Sequence, residues 1–211
     1  MSILKLAKVP AILAAAAVSA AVPAQAVAQG VSLVPWVGAY IPTKNSISDL
    51  DNALSRDVSV IGGARLTFWG TGHLGFEAVG GYAPAKISGE TINETNTNLL
   101  VAAGRLMFAL SPATNRVGFY LAGGPALVTR GNNPFDNNKS STDFGANVGA
   151  GFRFGLGQSN NAAIRLDVED YMYNGDFGGG DKFQNDIVTS LGFAIPIGGH
   201  PGEKTTPTTP Q

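Results

Sequence analysis

The sequence has no cysteine, which excludes disulfides and lipid attachment through an amino-terminal cysteine. Histidine is scarce. His73 and His200 are the two present, too few for a zinc site of ordinary ligand spacing. Charged residues make up 14% of the chain and the formal net charge is −1, so no basic face suits a nucleic acid. Beyond residue 28 no apolar run approaches the ~20 residues that a membrane-spanning helix needs. What is plentiful is glycine, 28 residues in all, together with short stretches in which apolar and small residues take turns.

The first segment stands apart. Met1 to Lys8 carries Lys5 and Lys8 and no acid, and Val9 to Val22 is apolar and rich in alanine. Ala24-Gln25-Ala26 and Ala26-Val27-Ala28 both offer the small-x-small pattern of a signal-peptidase site. Residues 1–28 are therefore read as a secretory signal peptide, cut after Ala26 or Ala28. A membrane anchor is the rival, and a run of about 14 residues is too short for it. The part expected to remain holds 12 basic and 15 acidic residues, a net charge near −3. Residues 29–198 are read as one folded domain, and residues 199–211 as a disordered tail rich in Pro and Thr.

Within that domain hydrophobicity repeats with period two. Phe144, Ala146, Val148, Ala150, Phe152, Phe154 and Leu156 form one face of a strand, and Gly145, Asn147, Gly149, Gly151, Arg153 and Gly155 form the other. Large apolar residues on one side and small or polar ones on the other suit a narrow barrel whose outside is greasy. Similar alternation runs through Val58–Phe68, Leu74–Tyr82, Leu100–Leu110, Val117–Leu127, Ile164–Glu169 and Ile187–Ile197. With Val31–Pro42, where Trp36 and Tyr40 could face either way, the count is eight strands. Ile61, Val79, Val101, Met107 and Val128 fall on the inner face against the pattern, while Pro125, Thr129 and Asp170 fall outside.

The connections have their own rhythm. Long polar ones are expected at Thr43–Asp57, Ser88–Asn98, Gly131–Thr142 and Asn174–Asn185, and short ones at Gly70–Gly72, Ser111–Asn115 and Gly157–Asn161. Strict alternation of long and short is the pattern of a transmembrane barrel with tight periplasmic turns and long external loops. The fold expected is all-β: an eight-stranded antiparallel up-and-down transmembrane β-barrel. Phe68, Phe76, Phe108, Phe119, Phe152 and Phe193 cluster toward the short-turn ends on the outer face, as a periplasmic aromatic girdle would.

From about Val31 to Gly198 the chain resembles the small outer-membrane β-barrels of the OmpA-like transmembrane domain and OmpX type. The most specific element is the last strand, Ser190-Leu191-Gly192-Phe193-Ala194-Ile195-Pro196-Ile197. It is similar to the family's terminal assembly signal, with Ser190, Gly192, Phe193, Ile195 and Ile197 at the patterned positions. It departs in ending on Ile197 instead of an aromatic, and in being followed by a tail. The resemblance implies a bacterial outer-membrane location, periplasmic chain ends, external loops and recognition by the barrel-assembly machinery. OmpA-like proteins often continue into a peptidoglycan-binding domain; that activity is not expected from the tail.

On this reading the lumen holds Arg65, Glu77, Arg105, Arg153, Arg165, Asp167 and Glu169, which need one another because an unpaired buried charge is costly. Counting outward from a turn that pairs residue 69 with 73 sets Arg65 opposite Glu77, and the Gly157–Asn161 turn sets Arg153 near Arg165. Such charges would plug an interior only as wide as its own side chains. Exchange between the pairs would instead open a narrow channel for small solutes. A soluble periplasmic ligand-binding barrel is the third possibility. Catalysis is not expected: His73 sits at a short turn and His200 in the tail, so no external serine has a base within reach. Neither cofactor nor metal is expected. The run Asn174–Asp181 reads as turn chemistry more than as a calcium loop, and Asn93-Glu94-Thr95 as a loop. A monomer is expected, with outer-membrane lipid and lipopolysaccharide as surroundings and partners.

Overall fold

The computed structural model describes residues 30–43, 55–56, 58–70, 73–89, 92–112, 115–133, 139–157, 162–176 and 181–198. The expected signal peptide, the tail with His200 and much of the first long connection lie outside them. The strands are β1 (Gly30–Pro42), β2 (Ser55–Arg56), β3 (Ser59–Trp69), β4 (Leu74–Gly89), β5 (Ile92–Ala109), β6 (Val117–Asn133), β7 (Lys139–Leu156), β8 (Ala162–Asp176) and β9 (Asp181–Gly198). The short β2 pairs onto the far end of β4, setting Ser55 against Ser88. The other eight form an antiparallel hoop in which each pairs with its neighbours along the chain. It is closed by β1 on β9, so the described chain begins and ends at the same edge.

The outer face is the greasy one. Leu106 is 70% exposed and Val60 68%, whereas Arg65 and Glu77 are 1% and 0% exposed. A water-soluble barrel inverts that order, so the shape itself disfavours the soluble reading. Among the described residues no helix is long and apolar enough to cross a membrane; the crossing elements are strands. β1 resolves the ambiguity in the sequence, since Trp36 and Tyr40 both point inward and are buried.

Three of the expected long loops are in large part strand. β4 and β5 stay paired out to Gly89 and Ile92, β6 and β7 to Asn133 and Lys139, and β8 and β9 to Asp176 and Asp181. A spanning strand needs only about 9–11 residues, while these run to 18 in β5, β7 and β9. The hairpins therefore continue past the apolar band as polar ladders. Asn93-Glu94-Thr95 belongs to β5, and Asp170 lies well before the end of β8. Polar residues there looked like loop because composition reports contact with water, not backbone pairing.

The first short turn is wider than expected. Gly70 donates its N–H to the Leu74 carbonyl at 2.9 Å, and the ladder begins at Trp69 with Gly75. Glu77 consequently stands opposite Thr67, and Arg65 opposite Val79. The error is two residues, which leaves every side chain on its expected face. At the turn after β7, Gly157 has φ 72°, a conformation that glycine adopts without strain.

Candidate functional site

All seven charges expected in the lumen are buried there. Six make a compact belt. Glu77, reaching in from β4, receives Arg105 Nη2 at 2.6 Å and Arg165 Nη1 at 2.5 Å. Glu169 on β8 receives Arg65 Nη2 at 2.6 Å and Arg105 Nη1 at 3.0 Å. Asp167, two residues earlier on the same face, holds Arg165 Nη2 at 3.0 Å and lies 3.5 Å from Arg65 Nη1. Three guanidinium groups thus neutralise three carboxylates, and Arg105 bridges Glu77 and Glu169 across the barrel. The expected pair of Arg65 with Glu77 survives only at 3.9 Å; the close partner of Arg65 is Glu169.

Hydroxyls fill several of the remaining hydrogen-bonding positions, while Arg65 Nε and Nη1 and Asp167 Oδ2 are buried without a hydrogen-bond partner. Thr67 donates to Glu77 and accepts from Arg165 Nη1 at 3.0 Å. Tyr120 donates to Asp167 and accepts from Arg165 Nη2 at 2.6 Å. Tyr171 donates to Glu169 at 3.0 Å, and Ser190 accepts from Arg65 at 2.8 Å. The guanidinium of Arg65 also lies over the Trp36 ring, 4.6 Å from its centroid. Charge-assisted bonds of this density suit a belt that water does not reach.

Apolar layers close the belt from both sides. Toward the long hairpins lie Trp36, Ile61, Val79, Val101, Val128 and their neighbours; toward the short turns lie Trp69, Met107 and Ala122. Ile61, Val79, Val101, Met107 and Val128 are the inward positions that broke the alternation, and these layers are where they sit. Farther out, Tyr40 and Tyr173 donate to Asp186, and Arg130 pairs with Asp143. Sequence reasoning put Thr67 and Tyr120 on the inner faces of their strands without giving them a role, and it missed Tyr171, Tyr173 and Asp186. Tyr171 and Tyr173 share the parity of Arg165 and Asp167 on β8, and Asp186 that of Ser190 on β9, so extending the parity would have found them.

The seventh charge stands apart. Arg153 is directly opposite Arg165 in the β7–β8 ladder and donates to the Asn115 carbonyl at 3.2 Å.

The residues of the expected girdle lie on the outer face near the short turns. Phe68 faces Phe76 with centroids 6.4 Å apart, and Phe119 faces Phe152 at 5.0 Å. Phe108 stacks on His73 at 5.9 Å, and Phe193 sits opposite Ile164. In β9, Ser190 and Gly192 face inward while Phe193 and Ile195 face outward. Ile197 lies in the register shift between the pairs Val31–Gly198 and Ser32–Pro196. Among the described residues no group of His, Cys, Asp and Glu could hold a metal ion.

The pattern of the outer membrane protein β-barrel domain family matches residues 11–194, beginning within the segment read as a signal peptide. Among solved structures, OprG of Pseudomonas aeruginosa is similar at 14% identity and a TM-score of 0.57, with 82% of this chain and 98% of that one covered. The N-terminal β-barrel domain of OprF from the same organism is similar at 14% identity and a TM-score of 0.50, covering 80% and 99%. At such identity these likenesses concern the fold alone. No curated protein sequence matches the chain.

Proposed function

The chain belongs to the outer membrane protein β-barrel domain family, and from that premise we propose that it acts as a sealed barrel, a structural and surface-interaction protein of the bacterial outer membrane. The observation that carries this reading is the filled cross-section. At mid-height the lumen holds a charge-balanced belt, and apolar layers cover it on both sides. A conducting path would have to break several charge-assisted bonds at once and wet two greasy layers. The chemistry left available to the protein is therefore at its outer surface and at its long hairpins.

The edge where both described chain ends meet is assigned to the periplasm, as in barrels of this kind. The long polar hairpins then face outward, where their Asn, Ser and Asp residues suit the sugars of lipopolysaccharide or an external partner. Ser190, Gly192, Phe193, Ile195 and Ile197 are the positions offered to the barrel-assembly machinery. The reading includes no catalysis. Its test is recording from the purified full chain in planar bilayers: a flat baseline at moderate voltage is expected. Reproducible unitary conductance would overturn it in favour of the narrow channel.

A further inference from the structure

On the outer wall, at the seam where β1 meets β9, lies an open apolar hollow of about 420 Å³, within the size range of small-ligand sites. Pro35, Val37, Ile164, Leu191 and Phe193 line it from the outer face. Behind them stand Gly192 and Trp36, whose ring lies against Arg65 in the lumen. We propose that this hollow seats one acyl chain of a phospholipid from the periplasmic leaflet.

The backbone is the first support. The β1–β9 ladder passes from Leu33–Ile195 to Trp36–Gly192 with residues 34 and 35 left out. The Pro35 carbonyl is turned toward β9, 3.4 Å from where a Gly192 Cβ would stand. A residue other than proline would offer its N–H on that same side. Pro35 offers none, so the ladder is interrupted beside the hollow. The dent is thus fixed in the backbone of the wall.

The lining is the second support. None of its seven residues is charged, so an ionic occupant would lose its hydration with nothing in return. Size argues against a second copy of the chain, since seven residues fall far short of the roughly 20–30 a side of a stable protein interface. The tail, residues 199–211, has no Leu, Ile, Val, Phe, Met or Trp to place there. The neighbour that does suit the hollow is the hydrocarbon around the wall. Height assigns the leaflet: Phe193 belongs to the aromatic group near the short turns, and its partner Ile164 stands two residues inside the start of β8. This inference rests on the outer-membrane reading and holds whether or not the lumen conducts.

The test uses the full chain folded into vesicles of phosphatidylethanolamine and phosphatidylglycerol, with a trace of phosphatidylethanolamine carrying a mid-chain diazirine. After illumination the labelled peptides are mapped by mass spectrometry. Leu191 and Leu121 both face outward and are almost equally exposed, 51% and 52%, so bulk lipid alone would label them alike. Labelling around Leu191 and Phe193 is expected to exceed that around Leu121 severalfold. Val37→Trp, which fills the hollow, should remove the excess, and Val60→Trp, on the outer face of β3, should keep it. Should Val37→Trp fail to fold, Ile164→Trp fills the same hollow from β8 and decides in its place. Equal labelling at the two leucines, or an excess that survives filling, would overturn the site and leave the membrane barrel standing. An outer face without label anywhere would overturn both.

Discussion

Glu77 is the side chain on which the belt converges, with guanidinium nitrogens of Arg105 and Arg165 within 2.6 Å and Arg65 Nε at 3.9 Å. Replacing it by glutamine keeps the shape and removes the charge, leaving buried cations without compensation. Glu77→Gln should therefore destabilise the folded barrel by about 3–5 kcal/mol, the usual cost of breaking a buried pair from one side. Urea titration in lipid vesicles would measure it, and a loss below ~1 kcal/mol would mean that water shares the belt. Removing Arg65 has a different consequence from the one the sequence suggests. Glu77 keeps two partners, and Glu169 loses its shortest one. The types and the inward parity of these residues were readable from alternation alone. Their pairing was not, because it runs across the hoop between strands distant in the chain, and ladder counting sees only neighbours.

Single strands show how aromatics and glycines share the narrow interior. Tyr120 on β6 lies against Gly151 on β7, where a Cβ would come 2.1 Å from the phenol. Trp69 covers Gly75 and Trp36 covers Gly81 in the same manner. The phenol cannot swing aside cheaply, since its hydroxyl is bonded to Asp167 and Arg165. Gly151→Ala should cost about 1–3 kcal/mol. Gly80→Ala, on the outer face with nothing within 4 Å of the added carbon, should be neutral or stabilise by about 0.4–1 kcal/mol. The same unfolding titration compares the two, and equal costs would show that the aromatic cover is incidental. Strand identity and facing were legible because hydrocarbon imposes alternation, unbroken from Phe144 to Leu156 and interrupted between Leu74 and Tyr82 only by Val79. Strand length was not, because above the apolar band Ile92–Asn98 and Lys139–Asp143 remain paired with no greasy face to mark them. Turn width at residues 70–74 also left no trace in composition, which is why the β3–β4 ladder came out two residues adrift.

At the scale of the whole molecule the greasy surface points outward, and both tryptophans point in. Trp36 and Trp69 are each 6% exposed, shielded from lipid by the wall. Brominated acyl chains should therefore quench the native fluorescence only weakly. Leu166→Trp, at an outward position 52% exposed, should add a strongly quenched component. Strong quenching of the parent would place the rings in the bilayer and invert the barrel. The hoop has one further property, which follows from the pairing of Val31 with Gly198. The first and last strands of the hoop stand side by side, so its wall is a ring lacking a single link. Each strand has the same two kinds of neighbour whatever its rank in synthesis, and the folded wall keeps no memory of which strand was made first. Only a reader acting before closure, while an edge is still open, could tell the last strand from the others.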